Sequence, residues 1–520
     1  MVGQTEGYDE LRVLASLRKI GKALQRTEVR PLLSRRSLLG VGAASVLSSS
    51  MLAGCATARG PAPDLRFLYN RSAQYHRPDR NPIIVIPGLL GSRLRDPVTS
   101  AIVWGAFDGD AANPTDGAGA RALAAPLEAD GPFTDPTVSV QADGVLDRLS
   151  VNVAGIPLEL AQYAQILATL GAGGYRDESL GLAGVDYGGD HFTCFQFAYD
   201  WRLDNAQNAV ALKRFMDEKR VYVAEKYAEV FGTDTRASEI KFDVVAHSMG
   251  ALLLRYFMRY GDQQLEGEGP HLDWRGASYF DRAVFVAPPN AGTALTLLYL
   301  TEGRDFGRPI LPFYPPAILG TYASLYQMLP RPRHQPVLWG GDAAAPLENL
   351  FDPVIWRRYE WGLAAPDQDR VRAQLLPTVT GAADRLSIAT VMQERLLRKA
   401  RAFAAALDRP AGRASGVEAM LVAGDALRTP QTLSMDEQSG RLFILDYGPG
   451  DGTVLRSSAL LDERSDESWT PTVQSPLRFN STLLLPGDHL GLTRSSAFSD
   501  NVLYWLLEDC LLYTSDAADE

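Results

Sequence analysis

The chain of 520 residues is long enough for more than one core, or for one large α/β core carrying a long insertion. Its composition, 46% hydrophobic and 22% charged, is that of an ordinary globular protein, and a net charge of −11 without a dense basic stripe argues against a nucleic-acid partner. Cys55, Cys194 and Cys510 are its three cysteines; they exclude a disulfide framework, leave open one Cys194–Cys510 bridge and, with no Cys-x-x-Cys or His-Glu-x-x-His spacing, suggest no metal site.

Residues 1–33 form a prefix longer than most basic leader regions, loosely amphipathic from Tyr8 to Leu24, which a mis-assigned start codon would explain. Ser34-Arg35-Arg36-Ser37-Leu38-Leu39 then precedes a small-residue apolar run to Ala53, too short and too rich in Gly and Ser for a membrane span. The paired arginines resemble a twin-arginine export signal. Leu52-Ala53-Gly54-Cys55 resembles a lipobox, whose cysteine is lipidated and becomes the mature N-terminus. The expectation is an exported protein, lipid-anchored through Cys55 on the periplasmic or cell-surface side. Residues 56–80, rich in Pro, Arg and Ala, read as a tether.

An α/β domain is expected over 81–508. Pro82-Ile83-Ile84-Val85-Ile86-Pro87 is a short apolar run bounded by prolines, which suits a strand buried on both faces of a parallel sheet. Gly88-Leu89-Leu90-Gly91-Ser92 follows as a loop. Residues 105–150 read mostly as loop, Leu158–Leu170 as a helix, Phe195–Trp201 as a strand and Ala209–Phe231 as a long helix. Asp243–His247 reads as a buried strand, Ala251–Tyr260 as its helix and Arg282–Ala287 as another buried strand. Strands alternating with helices imply a mostly parallel sheet covered on both faces. The alternation breaks at about 295–408, read as an insertion capping the site, helical from Ser387 to Leu407. Strand patterns return at Ala419–Gly424, Leu442–Leu445 and Ser481–Leu485. Residues 509–520 read as a tail, and Thr514–Glu520, polar and without periodicity, as non-native sequence.

The segment Ala246-His247-Ser248-Met249-Gly250 sits between an apolar strand and an apolar helix. That is the pattern of a nucleophile elbow, with Ala246 at the first small-residue position. The alternative is an ordinary strand–turn–helix whose serine has no special role. A serine nucleophile needs a base, and the base an orienting acid, in the chain order Ser, acid, His. Of the six histidines (His76, His191, His247, His271, His334, His489), only His489 follows the returning strands, in a turn after Leu483-Leu484-Leu485. The acid is Asp451, framed by glycines in Gly448-Pro449-Gly450-Asp451-Gly452, with Asp425 and Asp446 as rivals. Asp488 reads as a turn residue and His247 as a packing residue. The oxyanion donors are the N–H groups of Met249 and, from the early loop, Leu89, each worth roughly 3–4 kcal/mol.

Four separated motifs resemble the lecithin:cholesterol acyltransferase family. They are Pro82–Leu94 (PIIVIPGLLGSRL), Tyr199-Asp200-Trp201-Arg202, Ala246–Gly250 (AHSMG), and Gly450–Val454 (GDGTV) followed by His489. The resemblance implies an α/β-hydrolase with Ser248 as nucleophile, Asp451 as acid, His489 as base, and Leu89 and Met249 as oxyanion donors. It also implies a lipid ester as acyl donor; the acceptor is an alcohol or water, and no cofactor is expected. Tyr199–Arg202 is expected to be structural, an Asp200–Arg202 ion pair among core aromatics. Two departures stand out: the cysteine-closed loops of the extracellular animal enzyme have no counterpart here, and 295–408 matches no family segment. Beside a lipid acyltransferase or phospholipase stand a carboxylesterase on non-lipid esters and a non-catalytic, membrane-tethered binding lipoprotein.

Overall fold

A computed structural model describes residues 70–507, apart from 108–111, 126–139, 147, 154–155, 162, 182–190, 266–268, 306–311, 335, 340–344, 348 and 463–474. The leader, Cys55, Cys510 and the tail lie outside the described residues. Six strands form one parallel sheet: β1 (Ile83–Ile86), β2 (Cys194–Gln196), β3 (Phe242–His247), β4 (Phe280–Val286), β5 (Glu418–Gly424) and β6 (Ser481–Leu485). Their spatial order is β6-β5-β4-β3-β1-β2.

Successive side chains of a strand point to opposite faces, so a strand buried on both faces is apolar throughout. Ile84, Ile86, Val244, Ala246 and Phe285 join one core cluster, and Ile83, Val85, Val245, Val284 and Val286 another. Two sets of helices cover these faces. On the second face lie α1 (Ala164–Ala172) and α6 (Ser496–Leu507), through Ile166, Leu170, Val502 and Leu506. On the first lie α2 (Asn205–Phe231) and α3 (Met249–Tyr260), through Leu212, Met216, Leu253 and Phe257. The sequence sets the limits of α2: Asp204 caps its first turn through Ala206 N–H, and Gly232 ends it at φ 65°. Every residue of α3 is buried. The architecture is that of an α/β-hydrolase.

Several expectations are corrected. The folded unit begins before residue 81: Asn70–Ala73 is helical, Ala73 is fully buried, and Arg80 donates to the carbonyl of Gly173 at 2.5 Å. The segment 105–150 holds more than loop, including a helix at Gly117–Leu123 capped by Asp116 and a strand at Gln141–Val145. Ile156–Ala161 is a strand paired antiparallel with Arg148–Val153, so the helix starts only at Ala164. Its apolar residues Ile156, Leu158 and Leu160 follow a period of two, which the helical reading of Leu158–Leu170 overrode. Leu442–Leu445 is part of a longer strand, Leu442–Gly450, that pairs antiparallel with Leu427–Met435 outside the central sheet. Residues 443–447 are all exposed, so no buried-face pattern announced the length of that hairpin. Within 295–408, α4 (Ala294–Glu302) and α5 (Ala382–Asp408) are the longest helices, and α5 begins earlier than expected.

Candidate active site

Ser248 is the single residue between β3 and α3, at φ 55° and ψ −124°. A non-glycine residue in that region stores about 1–3 kcal/mol of strain and is held there only by its surroundings. The hold is visible: Ser248 N–H donates to Val286 O at 2.7 Å, and Ser248 O accepts from Ala251 N–H at 3.0 Å. Two glycines make the close approach possible. A Cβ on Gly250 would lie 2.3 Å from the carbonyl oxygen of Pro87, and one on Gly88 would lie 2.8 Å from Ser248 Cβ. The tight turn therefore presses against the loop that follows β1.

Ser248, His489 and Asp451 meet in one hydrogen-bonded line. His489 Nε2 is 2.8 Å from Ser248 Oγ, and its Nδ1 is 2.8 Å from Asp451 Oδ2. Asp451 directly follows the strand Leu442–Gly450, and His489 sits in the turn after β6. A carboxylate accepts only, so Nδ1 carries the proton and Nε2 faces the serine O–H as an acceptor. Burial pushes the Asp451 carboxyl up, but the His489 charge and hydrogen bond, with N–H donors from Val454 and Thr453, outweigh it and hold the group below the usual range. Those two N–H groups reach Oδ1 at 2.7 and 2.9 Å. The rivals are elsewhere: Asp446 is exposed and accepts its neighbour's N–H, and Asp425 is half-buried with no contact to His489. Asp488 closes the turn that presents His489, its Oδ1 accepting from Leu490 and Gly491 N–H.

Leu89 belongs to the loop after β1, and Met249 is the first residue of α3, where helical N–H groups lack intrahelical acceptors. The loop is fixed from two sides: Tyr199 Oη donates to Pro87 O at 2.8 Å, and Gly88 N–H donates to Tyr163 Oη at 2.7 Å. The Tyr199–Arg202 motif is a clamp. Arg202 pairs with Asp200 at 2.7 Å and donates to the carbonyls of Ala122, Leu123 and Ala124, while Trp201 donates to Ser92 O. His247 lies beside His489 with its ring centroid 4.8 Å away, and burial pushes its pKa down to about 3. Tyr163, which no motif singled out, lies between His247 and the loop; nothing local in the sequence marks it.

Ser248, His489 and Asp451 open on a cavity of about 500 Å³. Its walls are mainly apolar, from Leu89, Leu90, Trp104, Tyr299, Met328 and Leu427. Arg304, stacked on Tyr299 at 4.6 Å, is the one arginine, with no lysine, among the described lining residues. A small void of about 10 Å³ lies behind Leu89, Leu90 and Trp104, against Trp201, Tyr314 and Tyr322. Cys194, the first residue of β2, is a buried free thiol and does not line the cavity.

With Asp451→Asn, the amide would present a donor to Nδ1 and favour the wrong imidazole tautomer. A loss of about 10⁴ in kcat is expected, with little change for Asp425→Asn. Steady-state rates of the two variants decide between the acids, and the reverse ranking would reassign the role.

An elbow serine at the C-terminal edge of a parallel sheet, facing an acid and a histidine contributed by later segments, defines a serine α/β-hydrolase architecture. The lecithin:cholesterol acyltransferase family model matches residues 161–367, a span that contains Ser248 and the Tyr199–Arg202 clamp. Over that span the chain is similar to the lecithin:cholesterol acyltransferase family, and its fold is that of an α/β-hydrolase. The match runs on through residue 367, so the first part of the insertion, expected to match no family segment, falls within the family's pattern. The family match supports lipid acyltransferase or lipase activity. No curated protein matches the sequence. Among solved structures, the chain is similar to the Tle4–Tli4 complex, with a TM-score of 0.48 and 15% identity over 82% of this chain and 98% of that one. It is also similar to lipase 1 from Pelosinus fermentans, with a TM-score of 0.29 and 13% identity over the same shares.

Proposed function

We propose that the protein is a serine lipid-ester enzyme, a lipid O-acyltransferase or phospholipase working through an acyl-Ser248 intermediate. Ser248 Oγ attacks the acyl carbonyl while His489 takes its proton, and Asp451 orients the imidazole and stabilises its charged form. Leu89 and Met249 N–H receive the developing oxyanion. His489 then returns the proton to the departing lipid alcohol. Water or an acceptor alcohol, deprotonated by His489, removes the acyl group from Ser248. The observation that carries the reading is the 2.8 Å, 2.8 Å line from Ser248 through His489 to Asp451 at an apolar cavity of about 500 Å³. Leu89, Leu90, Trp104 and Met328 in the wall of that cavity offer an acyl chain an apolar surface, and residues 295–408 are proposed to cap it.

Phospholipid carrying a labelled acyl chain, incubated with and without a sterol or diacylglycerol, tests the reading. Free labelled fatty acid alone identifies a phospholipase, and a new labelled ester a transferase. Cleavage of dissolved short-chain esters with phospholipid untouched would replace it with the carboxylesterase reading. The order of the Arg35-Arg36 pair, the apolar run and Cys55 supports export followed by lipid anchoring. Cys55→Ser should then move the protein from the membrane fraction to the soluble fraction, and unchanged fractionation would rule out the anchor.

A further inference from the structure

We propose that Tyr163 and His247 are positioning residues, a hydrogen-bonded relay that holds the oxyanion loop and the base loop in register across the nucleophile elbow. The proposal rests on the reading of Ser248, His489 and Asp451 as the catalytic line, and adds two residues that none of the four motifs assigns a role.

Three contacts make the relay. Gly88 N–H lies 2.7 Å from Tyr163 Oη, Tyr163 Oη lies 3.0 Å from His247 Nδ1, and His247 Nε2 lies 2.9 Å from the backbone oxygen of His489. Donor and acceptor chemistry gives the chain one direction. A carbonyl oxygen only accepts, so His247 Nε2 carries a proton toward His489 O. The ring is neutral, because burial makes its charged form costly, so Nδ1 is a bare acceptor. Tyr163 therefore donates its hydroxyl proton to Nδ1 and accepts the Gly88 N–H on the same oxygen. Each polar atom along the path has a partner, as buried polar groups require. Tyr163 is 3% exposed and His247 2% exposed, so water does not compete for these bonds.

The relay's ends matter for function. One end is the peptide next to Leu89, an oxyanion donor, and the other is the peptide of the base itself. Its midpoint, His247, is the residue before Ser248. The three groups that must converge on one carbonyl carbon come from places far apart in the chain. Contact 163–247 spans 84 residues and contact 247–489 spans 242. Each bond adds little to folding stability on its own. Their effect on rate is larger, since displacements near 1 Å at a reacting centre cost about 100-fold. Edge-on packing of the two rings, with centroids 5.5 Å apart, keeps the geometry in place.

Tyr163→Phe removes the hydroxyl and keeps the ring, so the α1 packing survives. His247→Gln keeps a donor near His489 O and loses the Tyr163 contact. The full chain carrying each change is assayed for hydrolysis of a dissolved p-nitrophenyl ester, for phosphonylation by a fluorophosphonate, and for its thermal midpoint. The expected result is a kcat lowered on the order of 10-fold to 100-fold at unchanged KM, with an equal drop in phosphonylation rate and a midpoint within a few degrees of wild type. The double variant should be little worse than either single one, because both cut the same relay. Wild-type rates in Tyr163→Phe, or losses that only track a lowered thermal midpoint, would overturn the relay alone. A wild-type protein inert to the phosphonate would overturn the nucleophile assignment, and the relay with it.

Discussion

Ser248→Ala is expected to lower kcat by on the order of 10⁴–10⁶, with KM nearly unchanged. The expectation follows from the elbow's construction. Ser248 is 8% exposed, and its Oγ lies 2.8 Å from His489 Nε2 at the wall of the cavity. Removing it deletes the bond-forming atom and leaves the cavity walls, the Gly88 and Gly250 contacts and the clamp at Tyr199–Arg202 in place. Substrate binding should therefore survive while chemistry is lost. Alanine also relieves nothing at φ 55°, so the backbone strain persists and the fold is not expected to gain stability. Initial rates on a lipid ester, measured beside a thermal unfolding curve, check both halves. A loss below about 10-fold would mean that another group performs the attack.

His489→Ala is expected to cost a similar factor, on the order of 10⁴–10⁶ in kcat. Its imidazole is the only group within 3 Å of Ser248 Oγ among the described side-chain hydrogen bonds, and it connects that oxygen to Asp451. Without it the serine keeps its proton, and the departing alcohol has no donor. The Asp451 carboxylate is then left buried at 2% exposure with only the Thr453 and Val454 N–H groups to balance it, which should also lower the thermal midpoint. If Ser248 and His489 act as a unit, as proposed, the double variant is expected to be hardly slower than either single one. Additive losses would show that the two groups act in different steps.

The parts of this site that were readable from sequence share a physical cause. Ser248 stood out because a strained turn between a buried strand and a buried helix permits few residues, and Gly250 and the apolar runs are the residue types it demands. Strands β1, β3, β4 and β5 were readable because burial on both faces leaves continuous Ile, Val and Ala runs. His489 followed by elimination, since the chain order of the hydrolase sheet leaves only one histidine late enough. What was not readable was built by long-range contact. Tyr163 has no neighbouring motif, and its role arises from partners at Gly88 and His247. The hairpin Leu427–Met435/Leu442–Gly450, which delivers Asp451, carries exposed residues on both faces of its outer strand, so no period marked its extent. The tight turn beside the serine marks His247 as a packing residue, and it is buried, yet its two ring nitrogens are both engaged, one of them with the backbone of His489.

The most direct test of the central claim is covalent labelling of the purified wild-type protein with a fluorophosphonate, followed by mass spectrometry of its peptides. The account predicts one adduct, on Ser248, absent in Ser248→Ala and strongly slowed in His489→Ala. No adduct, or an adduct on another residue, would contradict it.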